Sequence, residues 1–243
     1  MMLQAGGNDG DRGSEWFVPK WGSAKFRFVV GMLFLPYTGM VVSFAVIGSM
    51  MADRIYWGRV LAIVVVYFLG LGVGAHALDA VGSKGGKPWG DIFTKTQLWV
   101  MAVVSLLFAY LIAVYYMVFY APWLFIVAIL EGFFVFAYNL EWFGGKFHKD
   151  GWFAFSWGSL PLLAGFMIQT NSFSFDAVCF ALAMALFSLI EIKASRPYKM
   201  LKSRLNELDA DEKELMERYE MILKCISLGV ILLGVGFLIW RIQ

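Results

Sequence analysis

The sequence predicts an all-α bundle of about seven membrane-spanning helices. Of its 243 residues, 60% are hydrophobic and only 16% are charged, and the mean hydropathy is +0.69. A soluble domain is about 45–50% apolar and about 25% charged, because it presents a largely polar surface to water. The composition therefore argues against a soluble enzyme, a disordered chain and a nucleic-acid-binding module, and it indicates a protein embedded in a bilayer.

Apolar runs of nearly membrane-spanning length account for the predicted helices. A hydrocarbon layer of about 30 Å is crossed by roughly 20 apolar residues in a helix. The runs are continuous rather than alternating, so they predict helices and not the strands of a barrel. They cover residues 28–51, 57–77, 98–118, 120–140, 152–168, 173–192 and 222–240. The chain is thus predicted to be one transmembrane helical domain, 26–243, behind a polar N-terminal tail at 1–25.

The longest polar stretch inside that domain, 194–220, is predicted to be an interfacial helix. Its leucines stand among lysines, arginines and glutamates, which is typical of a helix lying on a membrane surface. Asp209 followed three residues later by Glu212 has the spacing of a helix N-cap with its capping-box partner.

The distribution of basic residues predicts the orientation. Most of the 20 lysines and arginines fall in the N-terminal tail and in the second, fourth and sixth loops, which all lie on one side of a seven-helix bundle. Positively charged loops stay on the cytoplasmic side of a membrane. We therefore expect a multi-pass protein of the cell membrane with its N-terminus in the cytoplasm and its C-terminus outside.

Polar residues gather at the ends of the even-numbered helices. Ionisable groups in a membrane span are costly, so they usually face a protein interior or a cavity. The second, fourth and sixth helices run in the same direction, so their ends reach the same cytoplasmic depth and are predicted to converge on one pocket. The residues concerned are His76 and Asp79, then Tyr138, Asn139 and Glu141, then Glu191 and Lys193. The alternative is that they are ordinary interfacial residues, since a charged side chain at the end of a membrane helix costs little free energy.

The chemistry of these residues suits a phosphate-bearing ligand. Carboxylates such as Asp79 and Glu191 are ligands for Mg²⁺, which usually takes one or two carboxylates together with substrate phosphates. Basic side chains at the rim of such a pocket hold phosphate charge. The candidates for this role are Lys84, Lys87, Lys146, Arg196 and Lys199.

Two further groups admit two interpretations each. Glu131 falls near the middle of the fourth predicted helix, where it either makes a hydrogen bond across helices or lines a cavity or proton path. Tryptophans such as Trp142, Trp152 and Trp157 fit an interfacial belt, and the alternative is that some line a pocket for an isoprenoid chain or shield a carbocation.

Three segments carry a resemblance to a known family. They are HALDAVGSK at 76–84, YNLEWFGGKFHKDGWFAFSWGSLPLLAGF at 138–166, and EIKAS at 191–195. In this layout the chain resembles the UbiA superfamily of intramembrane prenyltransferases, in which an NDxxDxxxD motif ends the second helix and a DxxxD motif ends the sixth. In that family, aspartates of the two motifs hold Mg²⁺, which binds a prenyl diphosphate.

The motifs of this chain depart from that pattern. If Asp79 matches the central aspartate of the first motif, Ala75 and His76 stand at its Asn-Asp pair and Ser83 at its last aspartate. In the second motif Glu191 stands at the first aspartate and Ser195 at the second.

The resemblance implies an atypical enzyme that binds a prenyl diphosphate or related lipid in a cytoplasm-facing intramembrane cavity. Asp79 and Glu191 would hold Mg²⁺, and His76 would act as acid, base or ligand. Tyr138, Asn139 and Glu141, with the basic residues Lys84, Lys146 and Arg196, would bind substrate. The depleted motifs leave open a non-catalytic lipid-binding or structural subunit with a membrane-protein partner. A transporter that uses Glu131 as its coupling group is a third interpretation. A nucleic-acid partner is not expected.

Overall fold

The computed structural model describes residues 15–82 and 93–243, and every regular element within them is a helix. Within these residues, six helical spans are long and apolar enough to cross a membrane, and a seventh apolar helix is shorter. The elements are α1 (Ala24–Leu33), α2 (Leu35–Met50), α3 (Trp57–Gly82), α4 (Lys95–Phe119), α5 (Leu124–Asn139), α6 (Asp150–Thr170), α7 (Phe175–Lys202) and α8 (Ala210–Ile242). The prediction of a polytopic, all-α membrane bundle is therefore confirmed at this level.

The bundle has two ends, which we name by the helices that finish there. The near end holds the C-termini of α3, α5 and α7, and the far end holds the C-termini of α2, α4, α6 and α8. At the near end Glu15 ties the described part of the N-terminal tail to α7, because its Oε2 accepts hydrogen bonds from Lys202 and Tyr198, each at 3.0 Å.

The first predicted span is broken into α1 and α2 at Phe34. Phe34 has φ +41°, in the left-handed region that aromatic residues rarely adopt. Pro36 lies in the first turn of α2, where a missing N–H costs nothing. The Thr38 hydroxyl donates to the carbonyl of Leu33 at 2.6 Å and so satisfies a group that the break releases. The break turns the Phe34 ring toward α3.

The separate interfacial helix predicted over 194–220 is not present. The sixth predicted span continues as α7 to Lys202 even though Pro197 lies within it, and only a short 3₁₀ turn, Leu205–Glu207, follows. Helix propagation adds one hydrogen bond per residue, so a formed helix extends easily into polar sequence. The predicted capping box is confirmed: the Glu212 N–H donates to Asp209 Oδ1 at 2.8 Å. It opens α8, which runs without interruption into the last span.

The core is centred on α2, whose side chains Met40, Phe44 and Ile47 are fully buried. Its closest neighbour is α6, and the two helices meet backbone to backbone. A Cβ on Gly48 would collide with the carbonyl of Leu162, and a Cβ on Gly165 would collide with the carbonyl of Ala45. Small residues allow such contact between helices in a membrane, where dispersion rather than water expulsion drives packing.

At the far end, Arg59 joins α3 to α6. Its guanidinium donates to the carbonyls of Ile168 and Gln169, each at 3.1 Å, and lies over the Tyr56 ring at 4.2 Å. These carbonyls are among the last of α6 and have no partner within the helix.

We expect Arg59→Met to lower the free energy of unfolding by about 1–2 kcal/mol, because two helix-terminal carbonyls lose a charged donor. Thermal unfolding in detergent measures the change. Arg54→Met is the matched control, since Arg54 also lies over the Tyr56 ring, at 5.0 Å, and is exposed. Equal losses in the two variants would contradict the assigned role of the Arg59 hydrogen bonds.

Candidate functional site

A cavity of about 180 Å³ lies at the near end of the bundle, and we call it the polar cavity. Its walls come from α2, α3, α5, α6 and α7, together with the break before α2 and the loop before α6. The lining residues are Phe34, Tyr37, His76, Asp79, Tyr138, Asn139, His148, Phe153, Trp157, Glu191, Ile192, Ser195, Arg196 and Lys199.

Most of the site residues predicted from sequence line this one cavity. The ends of α3, α5 and α7 converge there and contribute His76, Asp79, Tyr138, Asn139, Glu191, Arg196 and Lys199. Glu141 and Lys146 do not line the cavity, because the chain turns away after α5: Glu141 has φ +51° and Lys146 is exposed on the turn that follows. Lys84 and Lys87 lie outside the described residues.

His76 is positioned by an unusual stretch of α3. Residues Phe68–Ala75 form a π-helical segment, a local widening that is frequent at functional sites. The His76 Nδ1–H donates to the carbonyl of Gly72 at 2.9 Å. This bond selects the tautomer in which Nε2 is the acceptor, so the buried imidazole can accept a proton on Nε2.

The end of α5 is held against α3 and against the following loop. A Cβ on Gly82 would collide with the carbonyl of Asn139, so glycine permits the two site-bearing ends to touch. Asn139 is buried, and its side-chain amide donates to the carbonyl of Val135 at 2.8 Å. His148, in the loop before α6, packs against the end of α5. Its ring stacks on Tyr138 with 4.4 Å between ring centroids, and its Nδ1 forms a hydrogen bond with the Tyr138 carbonyl at 3.0 Å.

The α7 residues divide the cavity into a buried floor and a charged rim. Glu191 and Ser195 are buried, whereas Arg196 and Lys199 are exposed. Arg196 also forms an ion pair with Asp150 at 3.0 Å. The arrangement places carboxylate chemistry inside the bundle and positive charge where a ligand would enter from water.

Aromatic rings form one side of the cavity. The Phe153 ring is stacked on Tyr37 at 5.5 Å and on Trp157 at 5.7 Å, with interplanar angles of 19° and 18°. We call Tyr37, Phe153 and Trp157 the aromatic wall. Trp157 is only 4% exposed, so it belongs to this wall and not to an interfacial belt. Aromatic faces attract cations and also pack against apolar chains.

Two buried polar atoms of the cavity lack hydrogen-bond partners within the described part of the chain: Glu191 Oε2 and the Tyr37 hydroxyl. Both side chains are 4% exposed. A buried polar group without a partner is destabilising by about 1–3 kcal/mol. Such groups in a cavity indicate that a bound molecule or water supplies the missing hydrogen bonds.

Several lining residues were not predicted as binding residues. Ser195 follows Glu191 by four residues, so helical periodicity alone places it on the face of α7 that also carries the predicted residues Glu191 and Lys199. His148, Phe34 and the aromatic wall carry no comparable signal, because their positions depend on the loop before α6, the break before α2 and the packing of α2 on α6.

The donor set of the cavity fits Mg²⁺ only together with a ligand that supplies phosphate oxygens. Within residues 15–82 and 93–243 there is no group of three or more His, Cys, Asp or Glu side chains that could hold a metal ion. Asp79 and Glu191 nevertheless line the same cavity, and the unpartnered Glu191 Oε2 is a free acceptor there. Mg²⁺ commonly takes one or two carboxylates and completes its shell with phosphate and water.

No protein-family model, curated protein or solved structure matches this chain. The resemblance to the UbiA superfamily therefore stays a prediction from the sequence motifs.

Proposed function

We propose that this protein is an atypical intramembrane enzyme of the prenyltransferase type, which binds a prenyl diphosphate or a related phosphate-bearing lipid in the polar cavity. The observation that carries the proposal is the convergence of Asp79, Glu191 and Arg196 with the aromatic wall in one cavity at the near end. The sequence resemblance supports the same interpretation independently of the geometry.

The rim cations have the chemistry of a phosphate site. Arg196 offers a planar fork of N–H donors and Lys199 a compact positive charge, and both match phosphate oxygens. Mg²⁺ held by Asp79 and Glu191 would neutralise charge on the leaving diphosphate. The exposed position of both cations lets the charged head approach from water while the isoprenoid chain remains among apolar residues.

The reaction that fits is ionisation of the allylic C–O bond followed by attack of an acceptor on the allylic carbon. The aromatic wall stabilises the allylic cation through its ring faces. His76 Nε2 accepts the proton that the acceptor loses when the new bond forms. Diphosphate leaves with the electron pair of the broken C–O bond, so charge and atoms balance.

The proposal also includes the orientation derived from sequence: the near end faces the cytoplasm. Among the described residues, Lys95 at the start of α4, Lys149 before α6 and Lys202 at the end of α7 lie at this end, as expected for cytoplasmic segments. Arg196 and Lys199, which form the charged rim of the polar cavity, lie at this same end.

Release of diphosphate from geranylgeranyl diphosphate by the purified protein tests the function. We expect release in the presence of Mg²⁺ and a membrane-lipid extract that supplies acceptors, and loss of release in Asp79→Ala. A normal melting temperature of the variant would show that it is folded. Unchanged release in Asp79→Ala would overturn the assigned role of this residue.

A non-catalytic lipid-binding subunit is the second candidate, favoured by the residues Ala75, Ser83 and Ser195 at positions of the family's motif residues. Under this interpretation the protein binds geranylgeranyl diphosphate but releases no diphosphate with any acceptor in the extract. Native purification would then recover a stable complex with another membrane protein.

A further inference from the structure

A second cavity lies deeper in the bundle and shares no lining residue with the polar cavity. We call it the lateral cavity. It has a volume of about 80 Å³ and is lined by α3, α4 and α5, with Ala164 of α6 at its base. It is partly open, and α4 and α5, which contact each other little, form its outer edges. Neighbouring side chains on these helices, such as Leu107, Leu111 and Ile129, are exposed on the apolar outer surface. The opening therefore faces the hydrocarbon layer.

The lining of the lateral cavity is apolar except for three residues. The Tyr67 hydroxyl donates to Glu131 Oε1 at 3.0 Å, and the Tyr110 hydroxyl donates to the carbonyl of Ala128 at 3.2 Å. The cross-helix hydrogen bond expected of Glu131 is thus present. The second carboxylate oxygen, Oε2, has no hydrogen-bond partner among the described residues, and Glu131 is not fully buried because it borders the cavity.

A carboxyl group with one oxygen that lacks a hydrogen-bond partner has a high free-energy cost in the middle of a membrane. Within a membrane such groups mark ligand or ion pathways unless they are paired. Tyr67 satisfies one oxygen and holds the carboxyl in place, and the other oxygen is left to accept a hydrogen bond from whatever enters the cavity.

We propose that the lateral cavity binds the hydroxyl end of a long-chain primary alcohol that enters from the bilayer. The hydroxyl donates to Glu131 Oε2, and the first carbons of the chain contact the apolar walls. One acceptor satisfies one hydroxyl, whereas an ammonium group carries three donors and would leave two unpaired among apolar side chains.

The size of the lateral cavity favours a ligand with a linear chain over one with a ring system. A cavity of about 150 Å³ lined by apolar side chains is known to hold benzene. The lateral cavity has about half that volume, so it admits a hydroxymethyl group with a few methylenes, and the rest of the chain lies in the opening between α4 and α5.

Photolabelling of the full-length protein in phosphatidylcholine nanodiscs tests the proposal. The probe is hexadecanol with a diazirine near its hydroxyl end, and the matched probe is its methyl ether, which accepts hydrogen bonds but donates none. We expect the alcohol to label the segments around Val127 and Ala128 about tenfold more than the ether does, the factor that one hydrogen bond supplies. Excess unlabelled hexadecanol should compete.

Variants separate recognition of the hydroxyl from simple filling of an apolar groove. Glu131→Leu should reduce labelling by the alcohol to the level of the ether, while Glu131→Gln keeps an acceptor oxygen and should retain most of it. Ala113→Phe places a ring in the cavity and should remove labelling by both probes. Ser105→Ala is the control, because it removes a buried hydroxyl from α4 outside the cavity.

Equal labelling by the alcohol and the ether in the unmodified protein would overturn the proposal. Unchanged alcohol labelling in Glu131→Leu would overturn it as well, provided that the variant melts at the temperature of the Ser105→Ala control. Neither outcome depends on diphosphate release, so this proposal and the proposed function can fail separately.

Discussion

Replacing Arg196 by methionine is expected to weaken the binding of geranylgeranyl diphosphate by about tenfold or more. A charge-assisted hydrogen bond is worth about 1.5–3 kcal/mol, and the partial exposure of Arg196 places its contribution toward the lower end of that range. Lys199→Met should have a smaller effect in the same direction, because lysine supplies a point charge without a second parallel hydrogen bond. The dissociation constant of the purified protein for the lipid, measured by calorimetry in detergent, reports the change.

The chain offers a matched control in Lys193. This residue forms an ion pair with the same carboxylate as Arg196, at 2.7 Å from Asp150, but it does not line the polar cavity. Lys193→Met therefore removes the same charge and one of the two ion pairs of Asp150, and should change the affinity less than threefold. If both variants lose affinity equally, the effect comes from net charge near the membrane and not from the cavity rim.

Replacing Gly165 by leucine is expected to lower the stability of the bundle strongly. Any Cβ at this position meets the backbone of Ala45, and backbone cannot move aside as a flexible side chain can. The Ser49 hydroxyl, which donates to the carbonyl of Gly165 at 3.0 Å, would also lose its partner as the helices separate. The loss of unfolding free energy should reach about 3 kcal/mol or more, equivalent to about 6–12 °C in melting temperature.

Gly229 in α8 is the control for this experiment. It is a helical glycine in an apolar span, and a Cβ there meets no atom within 4 Å. Gly229→Leu should leave the melting temperature in detergent unchanged or raise it slightly, because leucine has the better helix propensity. A similar fall in both variants would show that backbone contact between α2 and α6 does not limit stability.

The extent to which the fold follows from the sequence differs between elements. Continuous apolar runs predict helices of membrane-spanning length, and the capping box at Asp209 and Glu212 marks the start of α8 correctly. Helix ends were predicted less well where polar sequence continues a helix, as in α7. The break at Phe34 was not predicted, because an aromatic residue with positive φ is held there by contacts with distant parts of the chain, including the Phe17 and His76 rings.

The candidate site, like the fold, follows only in part from the sequence. The depth of a polar residue along a helix can be counted from the helix start, so the sequence indicates that His76, Tyr138 and Glu191 lie at one level. It carries no information on which way a helix is rotated about its axis or which helix stands beside it.

The sequence by itself determined that this chain is a polytopic helical membrane protein and that the polar residues ending its even-numbered predicted helices lie near one end of the bundle. These properties depend on composition, on the length of apolar runs and on position along each helix, all of which are local. Only the tertiary structure decided that Asp79, Glu191 and Arg196 share a cavity with the aromatic wall, and that Glu131 borders a different one. The physical reason is that contact between helices depends on their rotation and neighbours, which are set by close packing at sites such as Gly48 and by turns such as the one at Glu141.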